Sequence, residues 1–207
     1  LGPLFVLRRR GIAGTGREGV GILLYFLALG LGFMLFEISL IQRFILFLGY
    51  PTYSLTVVLF TILTCLGLGS FFSARWVGRE PQVLPVAFLV LCGLAAFYMF
   101  GLGGVQDMFF GSTLAVRVGV SIVVLAPLGF VLGMFLPLGI RRAVEIHEDL
   151  VPWAWAVNGC ASVTGTVLTV VLAMSYGFQN VWLLSLFVYA LGIAAFLGLA
   201  GRSRTLA

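Results

Sequence analysis

Glu37 and Arg43 are two ionisable residues within a single uninterrupted apolar segment, residues 21–49, where Gln42 lies next to the arginine. An ionised side chain near the centre of a bilayer costs at least about 2.5–3.5 kcal/mol, so it persists where another group satisfies it. Pairing of Glu37 with Arg43 is disfavoured, because favourable charge pairs on one helix are three or four residues apart. Glu37 is therefore a candidate site for a proton, an ion or a substrate.

The depth of the two side chains separates their predicted roles. Arg43 lies near the end of the segment, where it can extend to the lipid headgroups together with Gln42; a partner on another helix is the alternative. Glu37 is about twelve residues, or roughly 18 Å of helix, from that end and cannot easily reach the headgroups. The structural alternative for a protonated Glu37 is a hydrogen bond to a threonine hydroxyl or to a free main-chain carbonyl.

A helical wheel divides this segment into two polar sides. Glu37 lies roughly opposite the other polar residues near it, which are Ser39, Gln42 and Arg43. Gly30 lies beside Glu37, whereas Gly32 lies on the other side. Small residues mark close helix contacts in membranes, so we expect neighbouring helices on both sides. The remaining flank is predicted to face lipid or a third helix, and it consists of Phe36, Leu40, Phe44 and Phe47.

Other apolar segments carry polar or helix-breaking residues at about the depth of Glu37. The candidate members of this intramembrane polar site are Thr61, Thr64, Pro127 and Thr166. Pro127 leaves the Val123 carbonyl without its helical hydrogen bond, and broken helices near the midplane often coordinate ions or substrates in transporters. We expect the partner of Glu37 among these groups.

A stripe of polar side chains runs along residues 152–176 at spacings of four, four and three. Its members are Asn158, Ser162, Thr166 and Thr169. Such a stripe allows helices to approach closely and supplies interhelical hydrogen bonds, so helix packing is the alternative to a role in the polar site. Further pairs of small residues, Gly69 with Ser73 and Gly129 with Gly133, predict a compact bundle.

The composition places these residues in a membrane protein. Of 207 residues, 61% are hydrophobic and 9% are charged, against about 25% charged in soluble proteins. Segments long enough to cross a core of about 30 Å recur six times. They are residues 21–49, 53–74, 83–103, 117–140, 152–176 and 179–200. We predict an all-α polytopic membrane protein with a six-helix transmembrane bundle.

The arginines predict the orientation, because basic residues are enriched in short cytoplasmic loops. They fall on alternate connections and both termini, and only Arg117 lies on the opposite side, so both termini are predicted to be cytoplasmic. Residues 1–20 are interpreted as the end of a preceding span plus a basic cytoplasmic segment of a longer polypeptide. Residues 21–201 form the predicted transmembrane domain, and 202–207 a cytoplasmic tail. The connection 104–116 is predicted to lie on the membrane surface, with a lid or partner contact as the alternative.

Few residues are suited to other chemistry. The three cysteines are widely spaced within apolar segments, and His147 lies in a charged loop, so we predict no metal site and no cofactor. Without paired carboxylates or a nucleophile–base set, the chain by itself is predicted not to be an enzyme. The net charge of +5 is explained by basic residues that set the membrane orientation and face anionic lipid headgroups, so no nucleic-acid partner is expected. The four tryptophans are assigned to interfacial belts: Trp76, Trp153, Trp155 and Trp182.

Four longer motifs suggest a family. They are GLGFMLFEISLIQRFILFLGYPTYSLTVVLF (30–60), GLGSFFSAR (67–75), GMFLPLGIRR (133–142) and WAWAVNGCASVTGTVL (153–168). The chain resembles the multi-pass membrane region of bacterial spermidine/spermine synthase-like proteins, whose transmembrane helices are fused to an aminopropyltransferase- or methyltransferase-like soluble domain. The resemblance implies that chemistry with decarboxylated S-adenosylmethionine or a related cofactor belongs to that soluble domain. It extends to the motif residues Glu37, Gln42, Arg43, Trp155, Asn158 and Gly159 without giving them a catalytic role.

Two hypotheses follow. In the first, the chain is the membrane domain of a spermidine synthase-like protein in the bacterial cytoplasmic (inner) membrane. It anchors a soluble domain and passes a cationic or small substrate, with Glu37 as the proton or cation site. In the second, it is a structural accessory subunit of a larger integral membrane complex. Expected partners are the lipid bilayer, preceding helices or a soluble domain of the same polypeptide, or other subunits. A pigment- or haem-binding subunit is disfavoured, because the apolar segments contain no histidine.

Overall fold

The computed structural model describes residues 16–76 and 78–200, and these residues form helices joined by short turns, with no strand among them. Six of the helices are long and apolar enough to cross a membrane. The predicted all-α fold with six transmembrane helices is thereby confirmed. The predicted preceding span with its arginines, Arg8 to Arg10, and the tail 202–207 lie outside the described residues.

Seven α-helices follow one another along the chain. They are α1 (Gly16–Leu48), α2 (Pro51–Ser73), α3 (Glu80–Phe100), α4 (Leu102–Phe109), α5 (Leu114–Ile146), α6 (Leu150–Tyr176) and α7 (Phe178–Ala195). A 3₁₀ turn, Ala74–Trp76, extends α2, and a π-helical turn, Phe196–Ala200, extends α7. Because short connections join the spans, α4 lies with the end of α1 and the starts of α2, α5 and α7. We call this the α4 end of the bundle.

The helices differ from the predicted spans mainly in length. Helix α1 begins at Gly16 rather than at residue 21, and α5 covers Leu114–Ile146 rather than 117–140. Each has 33 residues, about 50 Å of helix, whereas the apolar core is about 30 Å thick. Hydropathy locates only the part of a helix in the core, since helical hydrogen bonds continue into polar turns.

The connection 104–116 is partly helical. It contains most of α4, in which Leu102 is buried and Phe109 packs against the core. Met108 and Phe110 are exposed, which suits a short helix at the membrane surface.

Glycines in unusual backbone conformations end two of the long helices. Gly49 follows α1 with a φ of 90°, and Gly177 separates α6 from α7 with a φ of 82°. Positive φ values are unfavourable for residues with a Cβ, so glycine terminates a helix and reverses the chain within a few residues. Pro51 then occupies the first turn of α2, where its missing N–H is not needed.

Helix α1 is the centre of the bundle. Within its most apolar stretch 61% of the residues are buried, against 22% for α2 and for α6. It packs most extensively on α6 and α7 and also contacts α2 and α5. The aromatic flank that was predicted to face lipid or a third helix is buried in this packing. The lipid alternative was therefore wrong for Phe36, Leu40, Phe44 and Phe47.

The second main contact joins α2 and α5 through glycines. A Cβ atom added at Gly129 would lie 2.8 Å from the Ile62 carbonyl oxygen. Cβ atoms at Gly69 and Gly133 would overlap main-chain atoms of Phe130 and Leu66. The two backbones approach closely because no side chain separates them, as small-residue motifs allow in membranes.

Candidate functional site

Glu37 lies in the interior of the bundle, with 5% of its surface exposed. Gly30 and Met34, in the preceding two turns, face α6, where they lie against Ala161 and Gly165. The main-chain carbonyl of Ile41, in the next turn, accepts a hydrogen bond of 2.5 Å from Ser54 Oγ of α2. Since residues three, four and seven apart share one side of a helix, Glu37 lies between the contacts of α1 with α6 and with α2.

Among the described residues, none forms a hydrogen bond or an ion pair with the Glu37 carboxyl. The expected threonine partners use their hydroxyls elsewhere. Thr61 is buried and donates to the Val57 carbonyl at 2.7 Å. Thr166 donates to the Ser162 carbonyl at 3.0 Å and contacts Met34 Sδ at 3.3 Å. The described residues thus leave Glu37 as a buried acid without a counter-charge, and the alternative of a hydrogen bond between Glu37 and a threonine hydroxyl is not realised among them.

Thr64 and Pro127 are exposed on the outside of the bundle, so their assignment to the polar site was wrong. Each lies two residues, or 200° of helix rotation, from a residue at the α2–α5 contact: Thr64 from Ile62, and Pro127 from Gly129. Matching residues by their depth along the spans carried no information on the rotation of each helix. The Val123 carbonyl behind Pro127 consequently belongs to the outer surface of α5.

The polar stripe on α6 contributes one hydrogen bond to a main-chain carbonyl of α1, besides the contact of Thr166 with Met34 Sδ. Asn158 Nδ2 donates to the Phe26 carbonyl of α1 at 3.1 Å. The hydroxyls of Ser162, Thr166 and Thr169 donate instead to carbonyls four residues earlier in α6. The stripe therefore works mainly through its small size, with Asn158 as its interhelical donor.

Gln42 and Arg43 lie nearer to the α4 end, apart from Glu37. Gln42 is exposed and lines a groove of about 220 Å³ between α1 and α6, together with Thr169 and Val170. The Arg43 guanidinium lies 5.9 Å from the centre of the Trp182 ring of α7. The polar residues of α1 are thus divided among three surroundings rather than gathered in one site.

Several buried groups escaped the sequence analysis. Trp182, assigned to the interfacial belt, is fully buried, and that assignment was wrong. Tyr25 and Ser185 donate hydrogen bonds to the Phe135 and Gly32 carbonyls, at 2.8 Å and 2.7 Å, across helix contacts. Tyrosine and serine are too frequent in membrane helices for their type alone to reveal these bonds. The helical phase of Gly32 was the available signal, since it marked the side of α1 that faces another helix.

No cluster of three or more potential metal ligands occurs in the described part of the chain. Its six long apolar helices define the class of a multi-pass membrane protein in a lipid bilayer. Comparison with known proteins found no matching family model, no matching curated protein and no matching solved structure.

Proposed function

We propose that this chain is a transporter-like membrane domain in which Glu37 binds a proton or a cation. The burial of Glu37 without a protein partner supports the proposal. An ionised carboxylate at this depth is unfavourable by several kcal/mol, and no described arginine or histidine is paired with it. A bound proton or cation supplies the missing counter-charge.

The surroundings of Glu37 suit reversible occupancy better than a permanent structural bond. Helices α2 and α6 both pack on α1 near Glu37 but make little contact with one another. A proton or a small cation can reach the carboxyl between them without separating a large helix interface. Intramembrane acids of this kind commonly lie on ion or proton pathways.

We further propose that the domain belongs to a spermidine synthase-like protein of the bacterial inner membrane and anchors its soluble domain. The four sequence motifs support this assignment. The proposed orientation, with cytoplasmic termini, is supported by the arginines: Arg75, Arg79, Arg141 and Arg142 lie at the end of the bundle opposite α4, whereas Arg117 lies at the α4 end. On this basis the chain itself is not the enzyme, and spermidine is a reasonable cation to test.

The carboxyl of Glu37 can be tested with dicyclohexylcarbodiimide, which modifies protonated carboxyl groups in apolar surroundings. We expect modification of the Glu37 peptide in mass spectrometry, and slower modification in the presence of spermidine or sodium ions if either binds there. Proton flux and spermidine uptake into proteoliposomes provide the functional measurement. Glu37→Gln should abolish the flux that the wild type carries and leave the fold intact.

Ser39→Ala is the matched control, because Ser39 is also a buried polar residue of α1 and has no hydrogen-bond partner in the described part of the chain. We expect this variant to retain wild-type flux. Full flux in Glu37→Gln, or an unreactive Glu37 in a folded protein, would rule out the proposed role.

A structural accessory subunit is the second candidate, favoured by the outer face of α6. Small residues are exposed there, including Ala156, Gly159, Cys160 and Thr164. Such residues allow a further transmembrane helix of a larger complex to approach closely. A bifunctional maleimide on Cys160 in native membranes should then join the chain to one defined subunit, and replacing Cys65 and Cys92 by serine should not change that product. Under this hypothesis Glu37→Gln leaves assembly unaffected.

A further inference from the structure

Four side chains with hydrogen-bond donors lie at the α4 end, each on a different helix. They are Arg43 of α1, Gln106 of α4, Arg117 of α5 and Trp182 of α7. Arg43 links three of the helices: its guanidinium lies 5.9 Å from the Trp182 ring centre, and a Cβ atom at Gly103 would lie 3.6 Å from Arg43 Nη2. Gln106 follows Gly103 by three residues, so it lies on the same side of α4.

Arg117 joins this group from α5. Its Nη1 donates a hydrogen bond of 2.9 Å to the Phe47 carbonyl, at the end of α1. Phe47 follows Arg43 by four residues and therefore lies one turn beyond it on the same side of α1. The Arg117 side chain therefore reaches the end of α1, about one turn beyond Arg43.

Most of the donors in this cluster lack an acceptor. Trp182 is fully buried, and its Nε1 has no hydrogen-bond partner among the residues that the structure describes. Gln106 Nε2 and Arg117 Nε are likewise buried and have no partner within residues 16–76 and 78–200. Arg43 forms no hydrogen bond or ion pair with any residue that the structure describes. Buried donors are almost always satisfied in folded proteins, so several together indicate an acceptor from outside the chain.

The positive charge of the cluster and its excess of hydrogen-bond donors both favour an anionic ligand. Two guanidinium groups contribute two positive charges and only donors. The acid nearest in sequence is Asp107 of α4, which is exposed and forms no ion pair with described residues. The indole face of Trp182 holds the Arg43 guanidinium by a cation–π contact without neutralising it.

We infer that the α4 end contains an oxyanion site for a phosphate group, formed by Arg43, Arg117, Gln106 and the indole N–H of Trp182. A phosphate offers several acceptor oxygens and negative charge, and guanidinium groups match this arrangement with paired N–H donors. The phosphate comes either from the headgroup of an anionic phospholipid or from a free phosphorylated solute. This inference is independent of the role proposed for Glu37.

The two sources can be separated with the purified full chain in nanodiscs. One measurement is the enrichment of phosphatidylglycerol over phosphatidylcholine among lipids that remain bound after partial delipidation, determined by native mass spectrometry. The other is the change in thermal stability on titration with inorganic phosphate or glycerol phosphate. Retention of phosphatidylglycerol without a response to the soluble phosphates identifies a lipid site, and a soluble phosphate that displaces phosphatidylglycerol identifies a solute site.

Arg43→Gln should reduce the affinity about tenfold, as expected for the loss of a charge-assisted contact. Trp182→Phe retains the ring and removes only the N–H, so it should weaken binding by a smaller factor even if Arg43→Gln folds poorly. Arg79→Gln is the control, because Arg79 is an exposed arginine at the opposite end of the bundle. The inference is overturned if the wild type binds neither probe, or if Arg79→Gln weakens binding as much as Arg43→Gln does.

Discussion

The side-chain amide of Asn158 on α6 donates a hydrogen bond of 3.1 Å to the main-chain carbonyl of Phe26 on α1. Gly30 lies one turn further along α1, where a Cβ atom would overlap the main-chain carbonyl of the same asparagine. The hydrogen bond and the missing side chain therefore act on one contact between α1 and α6, which lies two turns or more before Glu37 on α1.

Gly30→Ala should destabilise the bundle by about 1–3 kcal/mol, because the added methyl group forces α1 and α6 apart. Gly159→Ala, on the exposed face of the same α6, is the matched control, since a Cβ there meets no atom within 4 Å. Thermal unfolding of both variants in the same detergent provides the comparison. Equal melting temperatures would show that α1 and α6 are not in close contact.

The α2–α5 contact gives a second test of close packing. Gly133→Ala places a methyl group against main-chain atoms of Leu66, which cannot move aside as a flexible side chain can. We expect a loss of about 1–3 kcal/mol. Gly67→Ala on α2, where the Cβ would meet no atom, should be neutral or slightly stabilising, because alanine favours a helix. Denaturant titration monitored by tryptophan fluorescence measures both, and a neutral Gly133→Ala would contradict the packing.

Hydropathy and small residues predicted a large part of this fold. Six apolar segments gave six helices, because a membrane span requires a fixed length of apolar sequence. The helical phase of Gly30 and Gly32 correctly indicated neighbours on two sides of α1, which are α6 and α7. The number of spans and the contact sides of α1 depend on the length and periodicity of single segments, so both can be predicted from one sequence.

The arrangement between helices was harder to predict. Thr64 and Pro127 face outward, since the rotation of each helix is determined by the glycines that contact its neighbour. Trp182 was assigned to the interface from its place near a span end, yet it is fully buried, with Tyr98 of α3 and Arg43 of α1 beside its ring. The burial of Glu37 could be predicted from the apolar residues around it in the sequence. The absence of a hydrogen-bond partner depends on how three helices pack together, so it could not be predicted from the sequence of one helix.

Ser185 links α7 to α1 through a hydrogen bond of 2.7 Å from its hydroxyl to the Gly32 carbonyl. Ser185→Ala should lower stability by about 0.6 kcal/mol and by no more than about 1.7 kcal/mol, the range for interhelical hydrogen bonds in membranes. Ser175→Ala is the control, because this exposed hydroxyl bonds only to the Val171 carbonyl of its own helix. The difference between the two melting temperatures isolates the interhelical bond, and equal values would argue against it.

Glu37 should reduce the stability of the bundle, in contrast to the packing residues around it. A buried polar group without a partner costs about 1–3 kcal/mol, and an apolar replacement of similar size removes this cost. Glu37→Leu should therefore raise the free energy of unfolding by up to about 3 kcal/mol while Glu37→Gln changes it less. Unfolding of the three proteins in parallel, by heat and by denaturant, measures the order. A marked loss of stability in Glu37→Leu would instead reveal a favourable bond of the carboxyl, and so a structural role for this residue.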